Sequence, residues 1–210
     1  MSTRDEPLEI AVEGQRLAGT LVMPATVIPG VLFVHGWGGS QEQYLARARE
    51  VAALGCVGLT FDLRGHARSD GRNEAVSRED NLRDVLAAYD ALAARPGVDR
   101  DAIAVVGSSY GGYLGAILTS LRPVRWLGLR VPALYKDEGW ELPKRRLDRE
   151  ALAAYRRRLV LPEEDRALSA CAAFEGDVLL VESEHDDVVP PPAVASYRAA
   201  FGRARSLPTG

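Results

Sequence analysis

The feature that most restricts this chain is a serine set between glycines where a strand gives way to a helix. Gly107-Ser108-Ser109-Tyr110-Gly111 follows Ala102–Val106, an unbroken apolar run that reads as a strand buried on both faces. The same motif opens a helix expected over residues 110–121. G-x-S-x-G in that setting predicts a sharp strand-to-helix turn with Ser109 at its centre. The reason is steric. The serine backbone on such a turn is crowded, and Gly107, Gly111, Gly112 and Gly115 provide the space. The turn lifts the hydroxyl clear of the sheet, at a helix N-terminus that favours negative charge nearby. Ser108 is a poor rival, because Val106 and Tyr110 occupy its flanking positions. Ser109 is therefore the candidate nucleophile.

The rest of the chain sets the surroundings of that turn. Leu8–Val12 and Arg16–Met23, joined across Glu13-Gly14-Gln15, read as a hairpin. Strand-like runs at Val31–Val34, Val57–Phe61, Val124–Leu129 and Val178–Val181 alternate with helices. The helices are expected at Ser40–Leu54, capped by a Ser40/Gln43 pair and ended by Gly55, at Asn81–Ala94, capped by Ser77 and Asp80, and at Pro191–Phe201. Such alternation implies one α/β domain over residues 1–210, with a mostly parallel sheet covered on both faces. Residues 131–174 break the pattern. They hold two expected helices, 148–159 and 162–174, and no strand, so they form an insertion over the sheet. A helical cap and a simple packing insertion are both open on this pattern.

Three further loops follow strands. His35-Gly36-Trp37-Gly38-Gly39 can aim a backbone N–H at a developing oxyanion. The N–H of Trp37, with that of Tyr110 after the nucleophile, would complete a two-donor hole. His35 itself reads as a hydrogen-bonded structural residue. Asp62-Leu63-Arg64-Gly65-His66, continuing to Gly71, is a charged, glycine-punctuated turn of the scaffold kind. Val181-Glu182-Ser183-Glu184-His185-Asp186-Asp187 is an acidic loop after a late strand. It suits the carboxylate partner of a nucleophilic serine, with Asp186 and Asp187 as candidates.

Taken in order and spacing, the strand-HGWGG, DLRGHARSDG, GSSYGG and ESEHDDVVP segments resemble the α/β-hydrolase superfamily over nearly the whole chain. The resemblance is closest to bacterial serine esterases and to dienelactone hydrolase-like or acyl-peptidase-like members. It implies a serine hydrolase of small ester, thioester or amide substrates that works through an acyl-enzyme. It implies Asp186 rather than Asp187 as the acid, a structural turn around His66, and a cap formed by residues 131–174. A serine at position 109 argues against the dehalogenase and epoxide hydrolase branches, which use an aspartate there. Trp126, Tyr135 and Trp140 are expected to line an acyl pocket or to pack in the core or cap.

The plan requires a histidine after the acid. The chain has three histidines, His35, His66 and His185, and none follows Asp186. The expectation is a shortened hydrolase fold lacking its last strand, histidine loop and final helix, through a frameshift, a premature stop or a cut chain. His185 adjoins Asp186, but neighbouring side chains in an extended loop diverge. The alternative reading is a non-catalytic remnant or binding module that keeps the pocket. The lost strand would leave Val178–Val181 as an apolar edge, which predicts poor solubility or a homodimer paired there.

Composition narrows the partners. A formal net charge of -3 gives no electrostatic reason to expect nucleic acid or an anionic membrane. The basic runs Lys144–Arg146 and Arg156–Arg158 lie among many acids and read as a solvated mixed-charge surface. The two cysteines, Cys56 and Cys171, sit among apolar residues and read as buried free thiols. No metal-ligand cluster, nucleotide loop or redox pair is present, so no cofactor or metal is expected. The polar N-terminus and the lack of an apolar run near the roughly 18 residues of a membrane span give a cytoplasmic expectation.

Overall fold

Two antiparallel strands open the chain, β1 (Thr3–Val12) and β2 (Gln15–Pro24), in a two-stranded sheet of their own. The computed structural model describes residues 3–12, 15–24, 26–184, 186, 188–201 and 205–206. Glu13, Gly14, His185 and Asp187 lie outside the described residues.

The remaining strands form one six-stranded sheet. They are β3 (Ile28–Val34), β4 (Val57–Thr60), β5 (Val98–Ser108), β6 (Trp126–Arg130), β7 (Asp177–Val181) and β8 (Arg205–Ser206). Their order is β4-β3-β5-β6-β7-β8, and every neighbouring pair is parallel. Parallel pairing needs crossovers, and helices provide them. These are α1 (Glu42–Ala53), α2 (Arg78–Ala93), α3 (Tyr110–Leu118), α4 (Arg149–Arg156), α5 (Arg166–Ala172) and α6 (Pro191–Ala200). The segment between β6 and β7 carries α4, α5 and two 3₁₀ turns, Lys144–Arg146 and Pro162–Glu164, with no strand.

Strand alternation divides the core between the two faces of the sheet. Leu32, Val34, Ile103 and Val105 belong to the larger cluster, shared with α2, α3, α5 and α6. Val31 and Phe33 point the other way and pack with Tyr44, Ala48 and Val51 of α1. The continuous apolar runs of β3 and β5 follow from this double burial. On the α1 side of β6 and β7 cover is thinner, and Trp126 and Leu179 are 37% and 44% exposed.

Three expectations need correction. The β7 edge is not bare, because β8 pairs with it at Leu179↔Arg205 and Leu180↔Ser206. Its exposed apolar surface is a face, at Leu179, rather than an unpaired backbone. At α1 the cap position falls to Gln41, with no side-chain cap bond, so Ser40 and Gln43 do not form a capping box. Gln41 is turned instead toward Asp62, which accepts from its N–H (2.7 Å) and from Nε2 (3.0 Å). The thiols are free, but only Cys171 is buried; Cys56 is half-buried.

The α2 cap follows expectation. Ser77 Oγ accepts from the Asp80 N–H at 3.0 Å, and Asp80 Oδ2 accepts from the Ser77 N–H at 3.1 Å. Ser77→Ala should lower stability in a urea titration by about 1 kcal/mol, the usual worth of such a cap, with the slope of the transition unchanged.

Candidate active site

Ser109 occupies a backbone conformation that serine rarely adopts, with φ 50° and ψ -114°. The turn is held on all sides. Its N–H donates to Arg130 O of β6 (2.9 Å), and its carbonyl accepts from Tyr113 (3.1 Å) and Ala133 (3.0 Å). The flanking glycines are required by close approach. A Cβ on Gly107 would lie 2.4 Å from Gly111 O, and one on Gly111 would lie 2.2 Å from Val34 O. Strain at one serine, maintained by three backbone hydrogen bonds and two glycine contacts, is the pattern expected where a side chain must be presented rather than packed. Ser108 ends β5 in ordinary register with Arg130, whose guanidinium reaches its Oγ at 3.4 Å. It is not at the turn.

The loop after β3 lies directly against Ser109. A Cβ on Gly36 would come within 3.6 Å of Ser109 Cβ. Gly38 has a positive φ of 77°, and the Gly39 N–H donates to Gly36 O (3.0 Å), closing a tight turn around Trp37. No hydrogen bond to a described residue takes up the Trp37 N–H. Tyr110, as the first residue of α3, has no intrahelical acceptor for its own N–H.

His35 is committed elsewhere. Its Nε2 accepts from the Leu63 N–H (3.0 Å), which leaves Nδ1–H to donate to Gly36 O (2.7 Å). Burial lowers its pKa, so the ring is neutral and both nitrogens are engaged. His66 is equally occupied. Nδ1–H donates to Arg64 O (3.0 Å), and Nε2 faces Asn73 Nδ2 at 3.4 Å. The turn after β4 is scaffold, as its composition suggests. Arg64 is paired to Asp84 (2.6 Å) and Asp80 (3.3 Å) of α2. Burial disfavours the Asp62 carboxylate, but the hydrogen bonds from Gln41 and Arg68 outweigh it and hold the carboxyl below its usual range.

Asp186 follows β7, two strands along from the Ser109 turn, on the same carboxyl edge of the sheet. It is half-buried, and Oδ1 accepts from the N–H groups of Val188 (2.9 Å) and Val189 (2.8 Å). A cavity of about 280 Å³ joins Asp186 to Val131, Glu182, Ser183 and Glu184. Val131, itself at φ 44°, donates its N–H to Val181 O (2.8 Å) and leads into Ala133, which binds the Ser109 carbonyl. The nucleophile candidate, the glycine loop and the acid candidate thus end three strands of one sheet edge, the position where open α/β sheets bind ligands.

Residues 31–208 match the sequence pattern of the alpha/beta hydrolase family. The chain belongs to that family. Among solved structures, the chain is similar to Est1E from Butyrivibrio proteoclasticus, solved with bound ferulic acid. There the TM-score is 0.68 at 18% identity, covering 87% of this chain and 80% of that one. It is similar to the thioesterase domain from the curacin biosynthetic pathway, with a TM-score of 0.63 at 15% identity over 98% and 92% of the two chains. It also resembles an acylaminoacyl peptidase of Pyrococcus horikoshii, with a TM-score of 0.61 at 17% identity over 100% of this chain and 37% of that one. Thiohydrolase aneE of Aspergillus aculeatus is 30% identical over 105 residues, 49% of this chain. That match spans a third (33%) of the Aspergillus protein's length.

One feature of the site is not visible in the sequence pattern. Lys144 Nζ lies 4.0 Å from the ring centre of Trp37, 5.0 Å from that of Tyr110 and 5.2 Å from that of Tyr135. Arg156 and Arg78 stand over the same Tyr135 ring at 4.6 and 5.7 Å. The mixed-charge reading of the basic runs fails at these positions. Arg145, Arg146, Arg157 and Arg158 are exposed, whereas Arg156 is buried and Lys144 is half-buried. Helical spacing and the ring faces of Trp37, Tyr110 and Tyr135 decide which of the cations turn inward. Trp126 is corrected too. It begins β6, at the amino edge of the sheet, opposite Ser109, and cannot line an acyl pocket there. Among the described residues no cluster of His, Cys, Asp or Glu is placed to hold a metal, and no helix is long and apolar enough to cross a membrane.

Burial draws the Lys144 ammonium down to about 7, and repulsion from Arg156, Arg78, Arg145 and Arg149 adds to it. A lysine whose folded pKa is depressed binds fewer protons folded than unfolded between that value and about 10.4, so stability rises with pH across this window. Lys144→Met should therefore melt above the wild type near pH ~6, and the gap should close as the pH approaches ~10. At Ser109 the strain itself is testable. Ser109→Gly should be about 1–2 kcal/mol more stable than Ser109→Ala in urea, because glycine tolerates the positive φ.

Proposed function

We propose that this chain is built as a serine hydrolase of small acyl substrates, esters or thioesters before amides, acting through an acyl-enzyme. The observation that carries the reading is the strained, glycine-flanked Ser109 at the carboxyl edge of the sheet. The N–H groups of Trp37, in the loop beside Ser109, and of Tyr110, the residue after it, would serve as donors to the oxyanion of a tetrahedral intermediate. In the reaction Ser109 Oγ attacks the acyl carbon while a base takes its proton. The oxyanion collapses, the alcohol or thiol leaves with that proton, and water then cleaves the acyl-enzyme by the same steps. Asp186 would orient the base through Oδ2, since Oδ1 is held by two N–H groups. Residues 131–174 would serve as the cap, which their contact with Trp37 and Tyr110 through Lys144 supports. The thioesterase domain, the thiohydrolase and the ferulate-bound Est1E among similar proteins favour ester and thioester substrates.

A second reading, a binding module that retains the pocket, is favoured by one observation. His35 and His66 are both engaged through both ring nitrogens and cannot serve Ser109 as they stand. His185 lies outside the described residues. Without a base, a hole and a binding site alone leave about 10³–10⁴-fold over water. Hydrolysis of p-nitrophenyl acetate and butyrate, with Ser109→Ala beside the wild type, separates the two. Turnover that disappears in the variant supports the hydrolase. Equal inactivity of both proteins, with p-nitrophenyl butyrate still protecting the fold against heat, supports the binding module.

A further inference from the structure

Three buried or half-buried cations converge on one tyrosine, and among the described residues no carboxylate is paired with any of them. Arg78 is fully buried (0% exposed); its Nη1 donates to Lys136 O, its Nη2 to Glu138 O (2.7 Å), and its Nε has no partner. Arg156 is 8% exposed; its Nε donates to Leu134 O (2.8 Å), and its Nη2 has no partner. Lys144 completes the group, fixed by its own N–H to Val76 O (2.9 Å). The ion pairs among the described residues lie elsewhere, on Arg64, Arg122, Arg158 and Arg166 among others. Buried cations without counter-charge are costly, and unmade N–H bonds on buried guanidinium groups add to the cost.

The cluster also has a room beside it. Arg78 and Tyr135 form one wall of a cavity of about 390 Å³, with Lys136 and Arg146 as further cations on its lining and Leu142, Leu147 and Leu152 as its apolar part; Lys144 and Arg156 stand behind that wall, over the Tyr135 ring. Two acids border this cavity and neither neutralises the cations. Asp148 caps α4 by accepting from Glu150 and Ala151, and Glu138 is exposed and meets Arg78 through its carbonyl only. An apolar body beside a cationic wall suits an amphipathic acid. Tyr135 connects this wall to the nucleophile turn, for its ring packs on that of Tyr110, the residue after Ser109, at 5.5 Å.

We propose that Arg78, Lys144 and Arg156 form an anion subsite that takes a free carboxylate on the substrate, so that the preferred substrates are half-esters or half-thioesters of apolar dicarboxylic acids. The inference rests on the hydrolase reading for its use and on the cluster alone for binding. The carboxylate would accept from Arg78 Nε–H, Arg156 Nη2–H and the Lys144 ammonium; the two guanidinium N–H groups have no acceptor among the described residues. Bound charge would also favour the ammonium form of Lys144, which burial and its cationic neighbours oppose in the unliganded chain.

The test is calorimetric titration of the Ser109→Ala chain with monomethyl adipate and with dimethyl adipate, which differ in the one charge. The half-ester should bind about tenfold or more tightly than the diester, the order expected of a desolvated charge-assisted contact. Lys144→Met in that background should remove the preference, and Lys144→Arg, which restores the charge, should recover part of it. Circular dichroism checks that each variant is folded; if Lys144→Met is not, the Lys144→Gln and Arg156→Gln variants take its place. Equal affinity for both esters, binding of neither, or a preference that survives these replacements overturns the subsite. Because turnover is not read, loss of the hydrolase reading in the p-nitrophenyl assay leaves this result independent.

Discussion

The contact on which the site depends is the approach of Gly111 to the end of β3. A single methyl group at that position would stand 2.2 Å from Val34 O and 2.5 Å from His35 O. Because it is absent, the first turn of α3 can lie against the β3 strand end. The same closeness draws the glycine loop of residues 35–39 beside Ser109. Ser109 then has no relaxed conformation available, and the hydrogen bonds from Tyr113 and Ala133 to its carbonyl keep it at φ 50°. Packing of the larger core, with Leu114, Ala116 and Leu118 of α3 buried, supplies the free energy that maintains such a turn.

A polar layer beneath the loop gives it shape. His35 bonds forward to Gly36 and sideways to Leu63, which ties the β3 and β4 loops together. Asp62 gathers Gln41 and Arg68, while Arg64 pins the turn to α2 through Asp84. The Asn81 side chain joins Arg64 O, Asp84 and the hydroxyl of Tyr110 in one chain of hydrogen bonds. Two histidines that could be taken for catalytic groups are thereby architectural. Their ring nitrogens are donors and acceptors of the scaffold, and a ring so engaged is not free to exchange a proton with Ser109.

The segment between β6 and β7 combines two tasks. Its later part, α5, packs on α3 and α6 and belongs to the cover of the sheet, with Ala167, Leu168 and Cys171 in the core. Its earlier part carries Lys144 and Arg156 onto the aromatic group of Trp37, Tyr110 and Tyr135. The electrostatics there oppose those around Asp186, where Glu182 and Glu184 line the neighbouring cavity. One end of the site is cationic and the other acidic, with the Ser109 turn joined to both through Tyr110 and Val131.

The sequence by itself determined the parallel sheet, the Ser109 turn, the glycine loop and the α2 cap. Each is a local pattern: apolar runs bounded by glycine, G-x-S-x-G between strand and helix, and Ser77 three residues before Asp80. Backbone sterics and short-range hydrogen bonds suffice to read them. Tertiary structure decided what local pattern cannot encode. The Ser40/Gln43 cap expected at α1 did not form, and the cap position went to Gln41, which donates to Asp62, twenty-one residues away. Trp126 fell on the wrong edge of the sheet for an acyl pocket, because parallel register with Ala104 sets it at the strand's start. Arg78, Lys144 and Arg156, spread over three segments of a sequence rich in both charges, became one cationic wall only when α2, the 3₁₀ turn and α4 met around Tyr135. Burial of a charge depends on which rings and carbonyls surround it, and those are set by chain segments distant in sequence.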